Sequence, residues 1–182
     1  MPTKKYFIAI ILPPPYFEQV EEIKQELFTR FGLKGALRSP SHLTLHRPFE
    51  LEEKKEEQLI ERLQRFQHSS PFELNFADFG FFEPRVIYAA LQAQPRLFDL
   101  HHTLTQFAKR ELRLFNEAED LRGFHPHVTI AFRDLKKPLF YSLREEFEGR
   151  KLSGCFEYSG FSLLKLEKTW QVLHDFKAGN TP

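Results

Sequence analysis

Two short segments of this chain each place a threonine two residues after a histidine: His42-Leu43-Thr44-Leu45 and His127-Val128-Thr129-Ile130. In an extended strand alternate residues share a side. His42 and Thr44 therefore project together, as do His127 and Thr129, while Leu43, Leu45, Val128 and Ile130 anchor the opposite side in a core. Two imidazoles facing one ligand suit concerted acid–base chemistry at phosphorus. An unperturbed imidazole titrates near pH ~6.5, so near neutrality one ring can be neutral while the other is charged. The neutral ring takes a proton from the attacking water or hydroxyl, and the charged ring protonates the departing oxygen. Each threonine hydroxyl can donate a hydrogen bond to a non-bridging phosphate oxygen as charge develops there. The scheme uses no metal and no cofactor.

Rigid elements must hold these side chains, and the hydrophobic pattern supplies them. Tyr6–Leu12 reads as a buried strand stopped by Pro13-Pro14-Pro15. From Tyr16 to Phe31 the residues Phe17, Val20, Ile23, Leu27 and Phe31 recur at helical spacing, ended by Gly32 and Gly35. Leu37–His46 is a predicted strand carrying the first motif. Glu52–Gln67 is an amphipathic surface helix, and Phe72–Phe82 and Val86–Ala93 are strands. The second half runs through the same types of element. Leu97, Leu100, Leu104, Phe107 and Ala108 mark a helix, His125–Phe132 a strand with the second motif, and Leu139, Leu143 and Phe147 a short helix. Phe156–Leu166 and Trp170–Phe176 are the last two strands.

The two halves echo each other at a nearly constant offset. His127 follows His42 by 85 residues, Phe156-Glu157 follows Phe72-Glu73 by 84, and Trp170 follows Val86 by 84. Three landmarks in order indicate an internal duplication of about 85 residues. The expectation is an α+β chain, residues 1–182, forming one bilobal pseudo-symmetric domain whose copies each deliver a His-x-Thr strand to a shared cleft.

Composition narrows the partners. The 182 residues carry 26 basic and 25 acidic side chains, a net charge of +1. That balance excludes broad electrostatic binding of duplex DNA, which needs a basic face, but suits a small anionic ligand or one end of an RNA strand. Most of the 21 phenylalanines are assigned to the core. The single cysteine, Cys155, leaves no intramolecular disulfide or cysteine-rich zinc site. The apolar run Tyr6–Leu12 is far shorter than the roughly 20 residues of a membrane span. A cytoplasmic monomer without membrane attachment is expected.

At this point Ser39-Pro40-Ser41-His42-Leu43-Thr44-Leu45 and Phe124-His125-Pro126-His127-Val128-Thr129-Ile130 resemble the two signature motifs of the 2H phosphoesterase superfamily. The nearest branch is that of the 2′-5′ RNA ligases, also described as RNA 2′,3′-cyclic phosphodiesterases. The opening strand before the prolines and Pro84-Arg85-Val86-Ile87-Tyr88 fit as well, so the resemblance covers nearly the whole chain. It implies two mainly antiparallel sheets flanking a central cleft, with helices outside. It also implies a phosphodiesterase acting on 2′,3′-cyclic phosphates or 2′-5′ linked nucleotides, often at RNA ends, and reversible as a ligase. Catalytic roles fall to His42 and His127, and phosphate binding to Thr44 and Thr129. For ring opening the assignment favoured is His127 as base and His42 as acid, with the roles exchanged in ligation. A non-catalytic module of the same fold that captures a nucleotide or RNA end is the alternative.

The chain departs from the family pattern after each motif. Arg47-Pro48-Phe49 follows His46 where many relatives carry an aromatic, an aliphatic and a glycine. Phe132 stands where many carry arginine, with Arg133 one place later. Arg47, His125 and Arg133 are therefore candidate substrate contacts, and Arg38 joins them by proximity. Strand parity turns His42, His46, His125 and His127 toward one cleft, which raises a transition-metal site as a rival. The lack of a matching carboxylate argues against it, and His46 and His125 are placed at the cleft edge. Trp170 and Tyr88 are read as packing between strands, with base stacking as their functional alternative. His68, His101, His102 and His174 are assigned no role.

Overall fold

The computed structural model of the chain describes residues 2–67, 69–115 and 123–179. His68 lies outside the described residues. The elements are β1 (Thr3–Ile11), α1 (Tyr16–Phe31), β2 (His42–Glu52), α2 (Glu56–Gln64), β3 (Phe72–Phe82), β4 (Val86–Leu91), α3 (Pro95–Phe107), β5 (His127–Ala131), α4 (Lys137–Glu148), β6 (Cys155–Tyr158), β7 (Gly160–Leu166) and β8 (Trp170–Lys177). Among the described residues no helix is long and apolar enough to cross a membrane.

Among the described residues eight strands form one antiparallel sheet in the order β6-β3-β4-β5-β2-β1-β7-β8. The two sheets expected from the resemblance correspond to two four-stranded halves, but they join edge to edge through β5 and β2. Among the described residues a single pair in register, Leu43 opposite Val128, makes that junction. The halves also exchange strands. In sequence, strand–helix–strand–helix–strand runs from β1 to β3 and again from β4 onward, yet β3 pairs with β4 and β7 pairs with β1.

The predicted strand Phe156–Leu166 is divided in two. β6 lies at one end of the sheet beside β3, and β7 lies near the other end between β1 and β8. Only Ser159 separates them. One intervening residue spans at most about 7 Å between flanking Cα atoms, so the ends of the sheet must curl toward each other. Gly160 makes the crossing feasible. Its φ is +142°, and a Cβ there would sit 2.0 Å from the Phe176 carbonyl oxygen, a position no side chain can occupy.

One face of the sheet carries the main core. Leu43, Leu45, Val128, Ile130, Ile8 and Ile10 pack there with Val20 and Leu27 of α1, Leu97, Leu100 and Leu104 of α3, and Phe140, Leu143 and Phe147 of α4. A second, smaller cluster on the other face joins Phe7, Ala9 and Leu164. Of the predicted α1 face, Val20 and Leu27 are buried and Phe17 and Ile23 pack partly buried against the core, and Lys24 joins the buried stripe. Phe31 stays exposed.

Both motif strands begin later than predicted, for local reasons, and β2 runs on past His46 to Glu52. Residues 36–38 form a 3-10 turn, because the Asp134 carboxylate draws the backbone N–H groups of Lys34 (2.8 Å) and Gly35 (3.0 Å) toward the end of β5. At the second motif, Pro126 has no N–H to give a ladder, and β5 begins at His127.

Leu43 is 1% exposed and sits at the only register pair that joins the halves among the described residues. Leu43→Ala is therefore expected to cost about 2–5 kcal/mol of unfolding free energy. Urea denaturation checks this, and a loss below about 1 kcal/mol would show that the junction is held elsewhere.

Candidate active site

The Leu43–Val128 pair defines the site geometry. In an antiparallel pair, stepping one residue either way sets His42 across from Thr129 and Thr44 across from His127. All four side chains then lie on the face opposite the buried Leu43 and Val128. The two histidines are diagonal neighbours, a relation that places residues roughly 7–8 Å apart. This leaves room for one phosphate between the rings. The flanking strands continue the floor: Ala9 lies opposite Thr44 and Ile11 opposite His42, while Tyr88 lies opposite Thr129 and Ala90 opposite His127.

Both rings are held in the same way. His42 Nδ1 lies 2.6 Å from the Pro40 carbonyl oxygen, and His127 Nδ1 lies 2.7 Å from that of His125. A carbonyl only accepts, so Nδ1 carries the proton in each case. Nε2 is then the exchangeable nitrogen of both rings, able to accept a proton when the ring is neutral and donate one when it is charged. Both rings are partly buried. Burial pulls the His42 pKa down to about 4, with the Lys24 ammonium and His127 adding to the effect. The Pro40 hydrogen bond and the Glu21 carboxylate oppose it. Burial lowers the His127 pKa too; the His125 ring adds to this, and the hydrogen bond to the His125 backbone opposes it.

Aromatic rings wall the site on both sides. Phe7 lies 4.8 Å from the His42 ring and meets Trp170 edge-on at 4.6 Å. Phe82 and Tyr88 lie 5.1 and 5.2 Å from the His127 ring and 4.5 Å from each other. Beside His42 a groove of about 200 Å³ is lined by Phe17, Glu21, Arg38, Pro40 and Trp170 among others.

The structure brings together His42, Thr44, His127, Thr129 and, at the edge, His125. The Nε2 of the exposed His125 ring lies within hydrogen-bond distance, 2.9 Å, of the Tyr88 hydroxyl, while its backbone carbonyl holds His127. The other candidates lie elsewhere. His46, placed by strand parity at the cleft edge, is fully buried and packs edge-on against Phe49. The register of β2 against β1 slips between Thr44 and His46, a bulge that turns His46 to the core side. The four-imidazole cluster thus does not form. Among the described residues no three His, Cys, Asp or Glu side chains are grouped to hold a metal ion. Arg47 is exposed beyond the bulge, and its carbonyl lies 2.9 Å from His46 Nδ1. Arg133 is exposed in the turn after β5 at φ +62°, its guanidinium over the Phe132 ring.

Sequence reasoning passed over Lys24, Glu21, Ser41, Phe7 and Phe82. One signal was present: Lys24 stands at i+4 from Val20 and i−3 from Leu27, a charge set within an apolar stripe. The rings of Phe7 and Phe82 resembled ordinary core residues, and nothing in their spacing set them apart.

Gly80 is another position that only contact explains. It lies opposite Tyr88 in the β3–β4 ladder, and a Cβ on it would come within 2.4 Å of the tyrosine ring. Gly80→Ala is expected to destabilise the protein by about 1–3 kcal/mol. In a Tyr88→Ala background the penalty should fall below about 1 kcal/mol, as read by a double-mutant cycle in urea. An unchanged penalty would mean that the ring is not what requires the glycine.

Comparison with known proteins places this arrangement. No curated protein sequence matches the chain. Among solved structures, TT0787 of Thermus thermophilus is similar at 21% identity over 95% of this chain and 97% of that one, with a TM-score of 0.68. E. coli LigT in complex with 3′-AMP is similar at 21% identity over 98% and 100%, with a TM-score of 0.67. LigT in its apo form is similar at 23% identity over 98% and 99%, with a TM-score of 0.66. These likenesses are of fold. The model of the 2′-5′ RNA ligase superfamily matches residues 12–170, a span that holds both His-x-Thr strands, and the chain belongs to that family.

Proposed function

We propose that the chain is a two-histidine phosphodiesterase that opens 2′,3′-cyclic phosphates or 2′-5′ linkages in nucleotides or at RNA ends. The observation that carries this reading is the matched hold on the two imidazoles. On adjacent strands, each Nδ1 is committed to the carbonyl two residues upstream, so two exchangeable Nε2 atoms are left for one ligand. A module that only bound a nucleotide would have no use for two titrating groups of this kind.

In the opening direction a water oxygen bonds to phosphorus and a ribose oxygen leaves. The water proton passes to Nε2 of the neutral ring, and Nε2–H of the charged ring supplies the proton that the ribose oxygen takes. Thr44 and Thr129 hydrogen-bond the non-bridging oxygens. A bound phosphate anion raises the proton affinity of both rings, which offsets the depression caused by burial. The Lys24 ammonium beside His42 favours a neutral ring there. It supports His42 as the proton acceptor and His127 as the donor in ring opening, the reverse of the assignment favoured from sequence. The aromatic walls at Phe7–Trp170 and Phe82–Tyr88 suit a nucleotide, whose base has a face to stack. Support for this substrate class also comes from the family and from a structural neighbour that holds 3′-AMP.

The test is a panel of nucleoside 2′,3′-cyclic phosphates, 2′-5′ dinucleotides and 3′-5′ controls, with product regiochemistry determined. Turnover of the cyclic or 2′-5′ compounds is expected, unaffected by EDTA. His42→Ala and His127→Ala should each lower kcat by at least ~10³-fold, since each removes one of the two proton transfers. Binding without turnover by a folded protein would favour the capture module, and EDTA-sensitive activity would bring a metal back into the mechanism.

A further inference from the structure

A buried charge network lies directly behind the first motif. Lys24, on the core-facing stripe of α1, is only 2% exposed. Its ammonium donates to Glu21 Oε1 at 2.7 Å, to the Ser39 carbonyl at 2.9 Å and to Ser41 Oγ at 3.3 Å. An ammonium has three donors, and all three are engaged, as the charged form requires. Glu21 Oε1 in turn accepts from the Ser41 backbone N–H at 2.8 Å and from its hydroxyl at 2.7 Å. Every one of these bonds outside the Lys24–Glu21 pair ends on residues 39 or 41. Between them lies Pro40, whose carbonyl holds His42 Nδ1.

A buried ion pair contributes little net stability, because desolvation offsets most of the attraction, and an apolar side chain of similar size often serves the fold as well. A lysine on this stripe is therefore better explained by what it does to its neighbours. The second motif is built differently. The carbonyl that holds His127 belongs to His125, whose ring is tied to the uncharged Tyr88 hydroxyl. The site thus has a buried lysine ammonium behind the His42 ring, whereas the charged or titratable group acting on His127 is the His125 imidazole.

We infer that Lys24 and Glu21 are positioning residues for His42: they clamp residues 39–41 so that the Pro40 carbonyl fixes the ring, and the Lys24 ammonium adds to burial in disfavouring a proton on that ring. The charged and titratable groups acting on His42 are Lys24 and Glu21 from α1 and His127 from β5, and the β1 face presents the uncharged Phe7 ring. Of these, Lys24 and a protonated His127 repel a proton on His42, and Glu21 attracts one. The asymmetry makes two rings of similar design titrate apart, so a single pH finds them in different states. Its catalytic consequence rests on the phosphodiesterase reading, but the titration itself does not.

The experiment follows the two imidazoles by NMR in the full chain, with chemical shifts of His42 and His127 recorded against pH. In the unmodified protein His42 should titrate below His127. Lys24→Gln, whose amide can still donate to the Ser39 carbonyl without charge, should raise the His42 midpoint by about 0.5 pH unit or more and leave His127 within ~0.2 unit. Lys24→Met should do the same, and Lys24→Arg, which restores the charge, should return His42 toward the native midpoint. With a cyclic phosphate substrate, Lys24→Gln should lower kcat severalfold with little change in KM. His42 titrating above His127 in the unmodified protein would overturn the inference, even if no variant folds. A His42 midpoint unmoved in a folded Lys24→Gln variant would overturn it too. Absence of turnover in the unmodified protein would overturn the proposed function and leave the titration result standing.

Discussion

The contact on which the site depends is the pairing of Leu43 with Val128 at the junction of β2 and β5. Strand parity alone puts His42 beside Thr44 and His127 beside Thr129, but it cannot bring the two pairs together. One antiparallel register does so at once. It sets each histidine across from the threonine of the other motif and sends all four side chains to the same face. A slip of one residue would turn one strand's histidine and threonine into the core and its aliphatic residues outward. The complete burial of Leu43, Val128 and Ile130 resists that slip, so the hydrophobic side of these strands specifies the chemical side.

The chain path around that junction explains why the sheet curls. Each half borrows a strand from the other part of the sequence, β3 beside β4 and β7 beside β1. The link from β6 to β7 is a single residue joining opposite regions of the sheet. Such connectivity holds the halves in a fixed relation with few contacts at the seam. It also spares the histidine strands from the sheet edges, since β2 and β5 each have a neighbour on both sides. The side chains proposed to transfer protons are thereby carried on central strands, where the backbone is most constrained.

Electrostatics divides what geometry makes alike. Both imidazoles share the same backbone hold and both lose proton affinity through burial. A lysine ammonium lies behind His42, and the His125 ring, hydrogen-bonded to Tyr88, stands beside His127. Acid–base chemistry with two identical groups needs some such difference, because the work requires one ring neutral and the other charged at the same moment. Here the difference comes from α1, whose Lys24 and Glu21 reach the loop before β2.

The amino-acid sequence alone determined the motif strands, the helical or extended character of most segments and the offset between the halves. Those features are local, carried by hydrophobic periodicity and by the identity of His42, Thr44, His127 and Thr129 within their own strands. Tertiary structure decided the rest, for reasons of contact between residues far apart in sequence. The seam register comes from packing of Leu43 against Val128, and the division of the segment Phe156–Leu166 at Ser159 comes from pairing with different strands on either side. His46 moved from a site candidate to the core because a bulge, set by register against β1, reversed its parity. Lys24 marked itself as unusual by interrupting an apolar stripe. That its charge lies behind His42, however, followed only from the docking of α1 against the loop of residues 39–41, a relation that periodicity along one chain does not contain.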